Sequence, residues 1–343
     1  QNLYLIDGTD VYNPEHTFGI FSTFNTDAIK QAQLSKGGFG AEYGGRLSSV
    51  LDVTNLDGNR EQFEGTASIS LLSAKTTLQT PLGRSGSLSG SIRRTYFDQT
   101  VGRALDEIPD YYFYDGNLKA FFELSNRDQV TVSFYGGRDF LDVIFNPDAT
   151  ENTGIEFDWG NKTGSVRWMR VFTPKLFGNF WLTSSRFTSD VELPIVDTTE
   201  RNLVTDVTTK GNVEYHHSDA LVSRFGFEQK NLRVKYRQDF PAGLIDVRYE
   251  PNHYVLYGQS SWRPNVRWEL DAGLRYNLFD NEQAFHDLGP RLSVKHRLTD
   301  TINLRAATGV YYQYLHRIPR FILTDIWIAS NPHQKASRSV HAI

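Results

Sequence analysis

Tyr215-His216-His217-Ser218-Asp219 is the first stretch of this 343-residue chain whose residue types suit metal ligation. The surrounding pattern reads as a strand entering a tight turn. Neighbours on a strand point to opposite faces, so His216 and His217 cannot converge on one ion. Carboxylates pair at Asp106-Glu107 and within GIEFDWGN at 154–161, in or beside loops. Paired carboxylates hydrolyse glycosides only when a scaffold holds them across a substrate, and nothing in the pattern supplies one. GGFGAEYGG at 37–45 has the glycines of a phosphate loop but not its strand-to-helix setting. Tyr111, Tyr112, Phe113 and Trp159 offer ring faces that could stack on a sugar or an aromatic chelator. The competing role for the same rings, and the favoured one, is a membrane-interface girdle. No catalytic residue, metal site or cofactor is expected, and the chain does not read as an enzyme.

The elements that would position these residues are strands. Hydrophobic residues are 39% of the chain while aromatics reach 13%. Disordered chains lose both together, so a β protein with one polar and one aromatic-rich face explains the pairing better. The net charge of -4 excludes a basic field for nucleic acid, and zero cysteines exclude a disulfide framework. No apolar run is long enough for a transmembrane helix.

From about residue 63 apolar and polar residues alternate, then turn chemistry intervenes. In RWELDAGLRYNLF at 267–279, Trp268, Leu270, Ala272, Leu274 and Tyr276 share one face. Arg267, Glu269, Asp271, Gly273 and Arg275 share the other. RLSVKHRL puts Arg291 on a polar face in the same way. Short turns at 81–86, 125–128, 173–175, 217–220, 263–266 and 298–301 alternate with long polar segments at about 98–113, 139–157, 189–203, 237–249 and 280–287. Outer-membrane β-barrels are wired this way, with short periplasmic turns and long extracellular loops. Trp159, Trp168, Trp181, Trp262 and Trp268 fall near expected strand ends, as an aromatic girdle requires. Soluble sandwiches and propellers also alternate, but with shorter strands and tight turns at both ends. The first 60 residues differ. Gly is dense there, and NTDAIKQAQLSKG at 25–37 reads as a small helix, capped by Asn25 or Thr26, leading into a strand.

Several pieces in order carry a resemblance: Asp7-Gly8 after a strand, VYNP at 11–14, FNTDAI at 24–29, KGGF-A-YGGR at 36–46 and SSVLDV at 48–53. Together they resemble the second half of the plug domain of TonB-dependent outer-membrane receptors. The resemblance is to the Bacteroidota type that carries a carboxypeptidase-regulatory-like domain. EGTASISLLSAKTTLQTPLG, SGSIRRTYFD, WGNKTGSVRW, DAGLRY, GPRLSV and YYQYLH resemble that family's barrel strands in the same order.

The resemblance implies an all-β membrane protein. Residues 1–60 would be the C-terminal half of an α/β plug, 61–313 about 13 strands of a 22-stranded antiparallel barrel, and 314–343 a long extracellular loop. The chain is then expected to be a fragment of a longer receptor. Plug residues Asp7, Gly8, Lys36, Gly37, Gly44, Gly45 and Arg46 would be structural. Gly44-Gly45-Arg46 would turn inside the lumen, with Arg46 either meeting a carboxylate or only capping a local carbonyl or facing water. Many family members carry Arg-Gly-Pro where this chain has Lys36-Gly37-Gly38, and lysine keeps the charge but loses the bidentate fork. The implied function is TonB-dependent uptake of an iron chelate, cofactor, oligosaccharide or peptide across the outer membrane of a Gram-negative cell. Implied partners are TonB, outer-membrane lipid, the nutrient and a lid lipoprotein, with no nucleic acid. The alternative is a transporter-like barrel serving as a scaffold in an outer-membrane complex.

Overall fold

The computed structural model describes residues 2–16, 19–100, 109–143, 154–320 and 325–343. The N-terminal unit is built on a four-stranded sheet in the order β2 (Thr9–Asp10), β1 (Leu3–Ile6), β6 (Val50–Asn55), β5 (Ile29–Ser35), with β1 and β6 parallel. A small hairpin, β3 (Glu15–His16) and β4 (Phe21–Ser22), rises beside it. The expected helix is a single 3-10 turn at Thr26–Ala28, and Asn25 caps it by accepting from the Asp27 amide. β1 is apolar along its whole length because both of its faces are covered. Leu3 and Leu5 pack with Phe39, Val50 and Tyr311, and Ile6 packs with Val11, Phe24, Val53 and Tyr135.

Most of the remaining described residues form one 15-stranded sheet. It begins with β7 (Glu64–Ile69), β8 (Ser73–Leu82), β9 (Gly86–Thr95), β10 (Asp110–Ser125), β11 (Asp128–Val143) and β12 (Ile155–Thr173). It continues through β13 (Leu176–Leu193), β14 (Thr198–Ser218), β15 (Leu221–Phe240), β16 (Gly243–Tyr249) and β17 (Asn252–Asn265). β18 (Trp268–Asn281), β19 (Gln283–Arg297) and β20 (Asn303–Gln313) follow. β7 to β15 and then β17 to β20 neighbour one another in chain order, and β16 pairs with β15 alone. Every neighbouring pair is antiparallel. The sheet curls around the N-terminal unit. Ser87, Ser89, Ser133, Asn161 and Ser185 are buried on its inner face, while Leu118, Phe134, Leu182 and Phe225 are exposed on its outer face. That is apolar out and polar in, the reverse of a soluble core and the arrangement lipid demands. Trp168 and Phe180 stack at 5.4 Å on the outer face, toward the short-turn end. Trp159 and Trp181, also expected in a girdle, point inward instead. Trp159 is 2% exposed, and Trp181 lies against Gly8.

All six short turns fall where the sequence puts them. The long polar segments do not all form loops. Residues 189–203, 237–249 and 280–287 are largely strand, closed by tight connections after Leu193, Phe240 and Asn281. Beyond the apolar band both faces of a strand meet polar surroundings, so the hydrophobic alternation fades while the main-chain ladder continues. Parts of the segments at 98–113 and 139–157, Asp106 and Glu107 among them, lie outside the described residues. The tail is not a loop throughout. β21 (Leu315–Ile318) and β22 (Ile326–Ala329) form a hairpin, and β23 (Ser337–Ala342) returns to pair with β20.

Candidate functional site

The seam between the N-terminal unit and the sheet is polar and densely paired. At Asp7-Gly8 the backbone turns with φ of 47° and 82°. The Asp7 carboxylate accepts from Asn55 Nδ2 at 2.8 Å and from Lys119 Nζ at 2.9 Å. Lys119, on β10, also reaches Asp57 at 2.8 Å. The Gly8 carbonyl accepts from Lys210 of β14 at 2.6 Å. A Cβ at Gly8 would sit 3.1 Å from the Trp181 indole nitrogen, so glycine serves both the turn and the close approach.

The second contact is the Gly-Gly-Arg turn. Arg275 of β18 lies against Gly44, where a Cβ would overlap its guanidinium. It donates to the carbonyls of Ala41 at 3.2 Å and Glu42 at 3.0 Å, and pairs with Glu228 at 3.3 Å. Arg291 of β19 donates to the Phe39 carbonyl at 3.1 Å and the Tyr43 carbonyl at 2.7 Å. Its guanidinium sits over the rings of Phe39 and Tyr311. Glu42 pairs with Arg224 of β15 at 2.5 Å, and Arg224 pairs with Glu214 at 2.7 Å. Asp10 pairs with Lys230 of β15 at 2.7 Å. Burial works to raise the Asp10 carboxyl, but Lys230 and Arg46 outweigh it and hold it below its ordinary range. Asp52 differs: burial dominates and holds it above that range, with the Tyr43 hydroxyl donating to it at 3.0 Å. Asp10, Glu42, Asp52, Lys210, Glu228 and Lys230 border a cavity of about 170 Å³ between the unit and the wall.

Arg46 is buried. It donates to the Gly45 carbonyl at 2.9 Å and lies over the Trp327 ring at 5.4 Å, so of the two expectations the local carbonyl is the contact formed. Gly45 has φ of 74°. Lys36 is exposed and enters none of the ion pairs among the described residues, and Gly37 approaches His341 and Ile343. The wall residues Arg224, Glu228, Lys230, Arg275 and Arg291 carry the contacts. Two of them, Arg275 and Arg291, already stood on the polar face of the sequence pattern.

Toward the end of the barrel opposite the short turns lies a buried aromatic cluster that includes Tyr12, Tyr111, Phe113, Phe157, Trp159, Phe187, Phe279, Tyr314 and Trp327. Tyr12 donates to Asp206 at 2.6 Å and meets Trp327 edge-on at 5.5 Å. His16 stacks on Phe113 at 4.1 Å, with Asp139 2.6 Å from one ring nitrogen and Asp115 3.4 Å from the other. Burial alone would lower this imidazole, but the two carboxylates outweigh it and raise it above its ordinary 6.5. Of the expected ligand-stacking residues, Tyr111, Phe113 and Trp159 come together here. Tyr112 faces outward and stacks on Phe140 at 4.8 Å, because successive residues of a strand alternate faces. His216 meets Glu214 on its own strand and His217 meets Ser223 of the neighbouring β15, and no cluster able to hold a metal exists among the described residues.

A curled antiparallel sheet with an apolar exterior, threaded by a small sheet tied to its polar interior, has counterparts among solved structures. The fold is that of the plugged outer-membrane receptor barrels. The ferric enterobactin receptor PfeA of Pseudomonas aeruginosa, in complex with BCV-L6, superposes with a TM-score of 0.69 at 15% identity over 99% of this chain and 61% of that one. The siderophore receptor PirA of Acinetobacter baumannii gives 0.71 at 13% identity, over 99% and 59%. The outer membrane transporter YddB of Escherichia coli gives 0.66 at 13% identity, over 91% and 53%. The chain thus spans about three fifths of the siderophore receptors it matches. No protein-family model and no curated protein matches the sequence.

Proposed function

We propose that this chain is part of an outer-membrane receptor that imports a nutrient actively, with energy delivered through TonB. The observation that carries the reading is the seam. The plug is held to the wall largely by discrete ion pairs and arginine-to-carbonyl bonds, among them Asp7–Lys119, Asp10–Lys230 and Glu42–Arg224. Polar contacts of this kind exchange for water one by one when a segment is drawn away, which a sealed apolar seam does not allow. The aromatic vestibule above the plug is packed shut, so a ligand would reach its ring faces only once those side chains part. The proposed role involves no covalent chemistry. Iron chelates, cofactors, oligosaccharides and peptides are the substrate classes in question. A siderophore-type chelate is the first to test, because the similar structures include PfeA in complex with enterobactin.

The test is growth of the host on single nutrients with and without the full-length gene, beside a strain whose TonB-contacting segment is deleted. Loss of growth on one nutrient in both strains is the expected result. Envelope damage from the gene deletion alone, with no effect of the segment deletion, would replace import with the scaffold reading.

A further inference from the structure

The outer face of the sheet carries a groove that lipid packing alone does not explain. It encloses about 790 Å³ and is walled by Leu78, Ile92, Leu118 and Phe134, with Gly116 and Gly136 directly opposed at its floor. Lys162 borders it, as the cross-strand neighbour of Gly136. Arg186 is the direct neighbour of Lys162 on the next strand. Both cations are exposed, and neither enters an ion pair among the described residues. The other outward cations nearby are compensated: Arg138 by Asp158 and Arg201 by Asp190. Like charges placed directly opposite each other on a sheet repel. On a lipid-facing wall an uncompensated cation is tolerated only near the headgroups or with an anion at hand. An apolar slot ending at two unpaired cations matches the chemistry of one molecule, an acyl chain joined to a phosphate.

We infer that this groove is a specific site for a phosphorylated lipid of the surrounding membrane, its acyl chain between Leu118, Ile92 and Phe134 and its phosphate on Lys162 and Arg186. The inference rests on the outer-membrane reading, because a soluble barrel would present this face to water.

The test uses the full-length receptor purified in detergent, stripped of lipid and titrated with diphosphoryl lipid A, followed by native mass spectrometry. Three comparisons accompany it: the dephosphorylated lipid, the variant Lys162→Gln/Arg186→Gln, and the variant Gly136→Leu. A Cβ at Gly136 meets only the Lys162 side chain, at 4.0 Å, so leucine there fills the slot without disturbing the backbone. Saturable one-to-one binding is expected, weakened about tenfold or more by removing either the phosphates or the cations. Gly136→Leu is expected to weaken it comparably. Equal binding of the dephosphorylated lipid, unchanged binding by the charge variant, or a lipid-free pair of receptors joined through this face would overturn the site. Heat-modifiable migration of each sample separates the two levels. A receptor that never migrates as a barrel refutes the membrane reading, whereas a barrel that ignores the phosphates refutes the lipid site alone.

Discussion

Asp10 of the plug lies 2.7 Å from Lys230 of β15, and both side chains are nearly excluded from solvent. Lys230 also stands 3.6 Å from Glu228, so one ammonium serves two carboxylates at the seam. Removing one member of such a cluster strands the others in a poorly solvated place, at a cost of about 3–5 kcal/mol. We expect Lys230→Met in the full-length receptor to raise hydrogen exchange in residues 3–16 while leaving the barrel strands protected. Adding Asp10→Asn should recover part of the loss, because it removes one of the stranded charges. Unchanged exchange at the plug in Lys230→Met would show that this pair does not hold it.

His16 ties the β3–β4 hairpin to Asp139 and Asp115 of the wall, a tether that depends on pH. A neutral imidazole donates from only one nitrogen, yet both of its nitrogens face carboxylates, so the protonated form is favoured. Its pKa in the folded protein lies above the ordinary 6.5. The stabilisation it contributes is therefore complete below that value and is lost as pH rises through the raised one. Urea unfolding of the plug, followed at a series of pH values, should show stability falling over that interval in the parent and flat behaviour in His16→Gln. A parent curve as flat as the variant's would remove His16 from the tether.

Gly44 is required by the wall rather than by its own backbone, since its φ lies outside the left-handed region while that of Gly45 is 74°. Gly44→Ala drives a methyl into the Arg275 guanidinium, which is itself fixed by two plug carbonyls. A cost of about 1–3 kcal/mol follows from overpacking. Gly45→Ala meets no atom within 4 Å, so its cost is that of the left-handed conformation alone, about 1 kcal/mol. Arg275→Ala should relieve the first substitution and not the second. Thermal unfolding of the two glycine variants, Arg275→Ala and the two doubles decides this, and equal behaviour of both alanines toward Arg275→Ala would contradict the assignment.

The strands were legible because lipid and lumen impose opposite polarity on alternate residues, as in β18, where Leu274 and Tyr276 face out and Arg275 faces in. Turn chemistry fixed the short connections. The upper strand extensions were not legible, since polar surroundings on both faces erase the alternation that marks a strand. Residue type misled at Trp159 and Trp181, because an aromatic near a strand end suits a girdle and a lumen equally until register is known. The seam itself is written in pairs far apart in sequence. Glu42 and Arg224 are separated by 182 positions, and no local pattern links them. Arg46 illustrates the remainder: its burial under Trp327 depends on a hairpin in the segment that reads from sequence as a long extracellular loop.

Tyr112 and Trp159 separate the two roles first considered for the aromatic residues. Trp159 packs 4.2 Å from Phe157 and is buried in the vestibule, so Trp159→Ala should cost about 3–5 kcal/mol through lost packing. A conservative Trp159→Phe keeps much of that packing and tests the ring's part in uptake. Tyr112 stacks on Phe140 on the outer face, a contact of about 0.5–1.5 kcal/mol beyond its area. Tyr112→Ala should therefore lower thermal stability slightly and leave nutrient uptake by the full-length receptor unchanged. Loss of uptake in a stably folded Tyr112→Ala would place ligand contact outside the lumen and overturn the assignment of the vestibule.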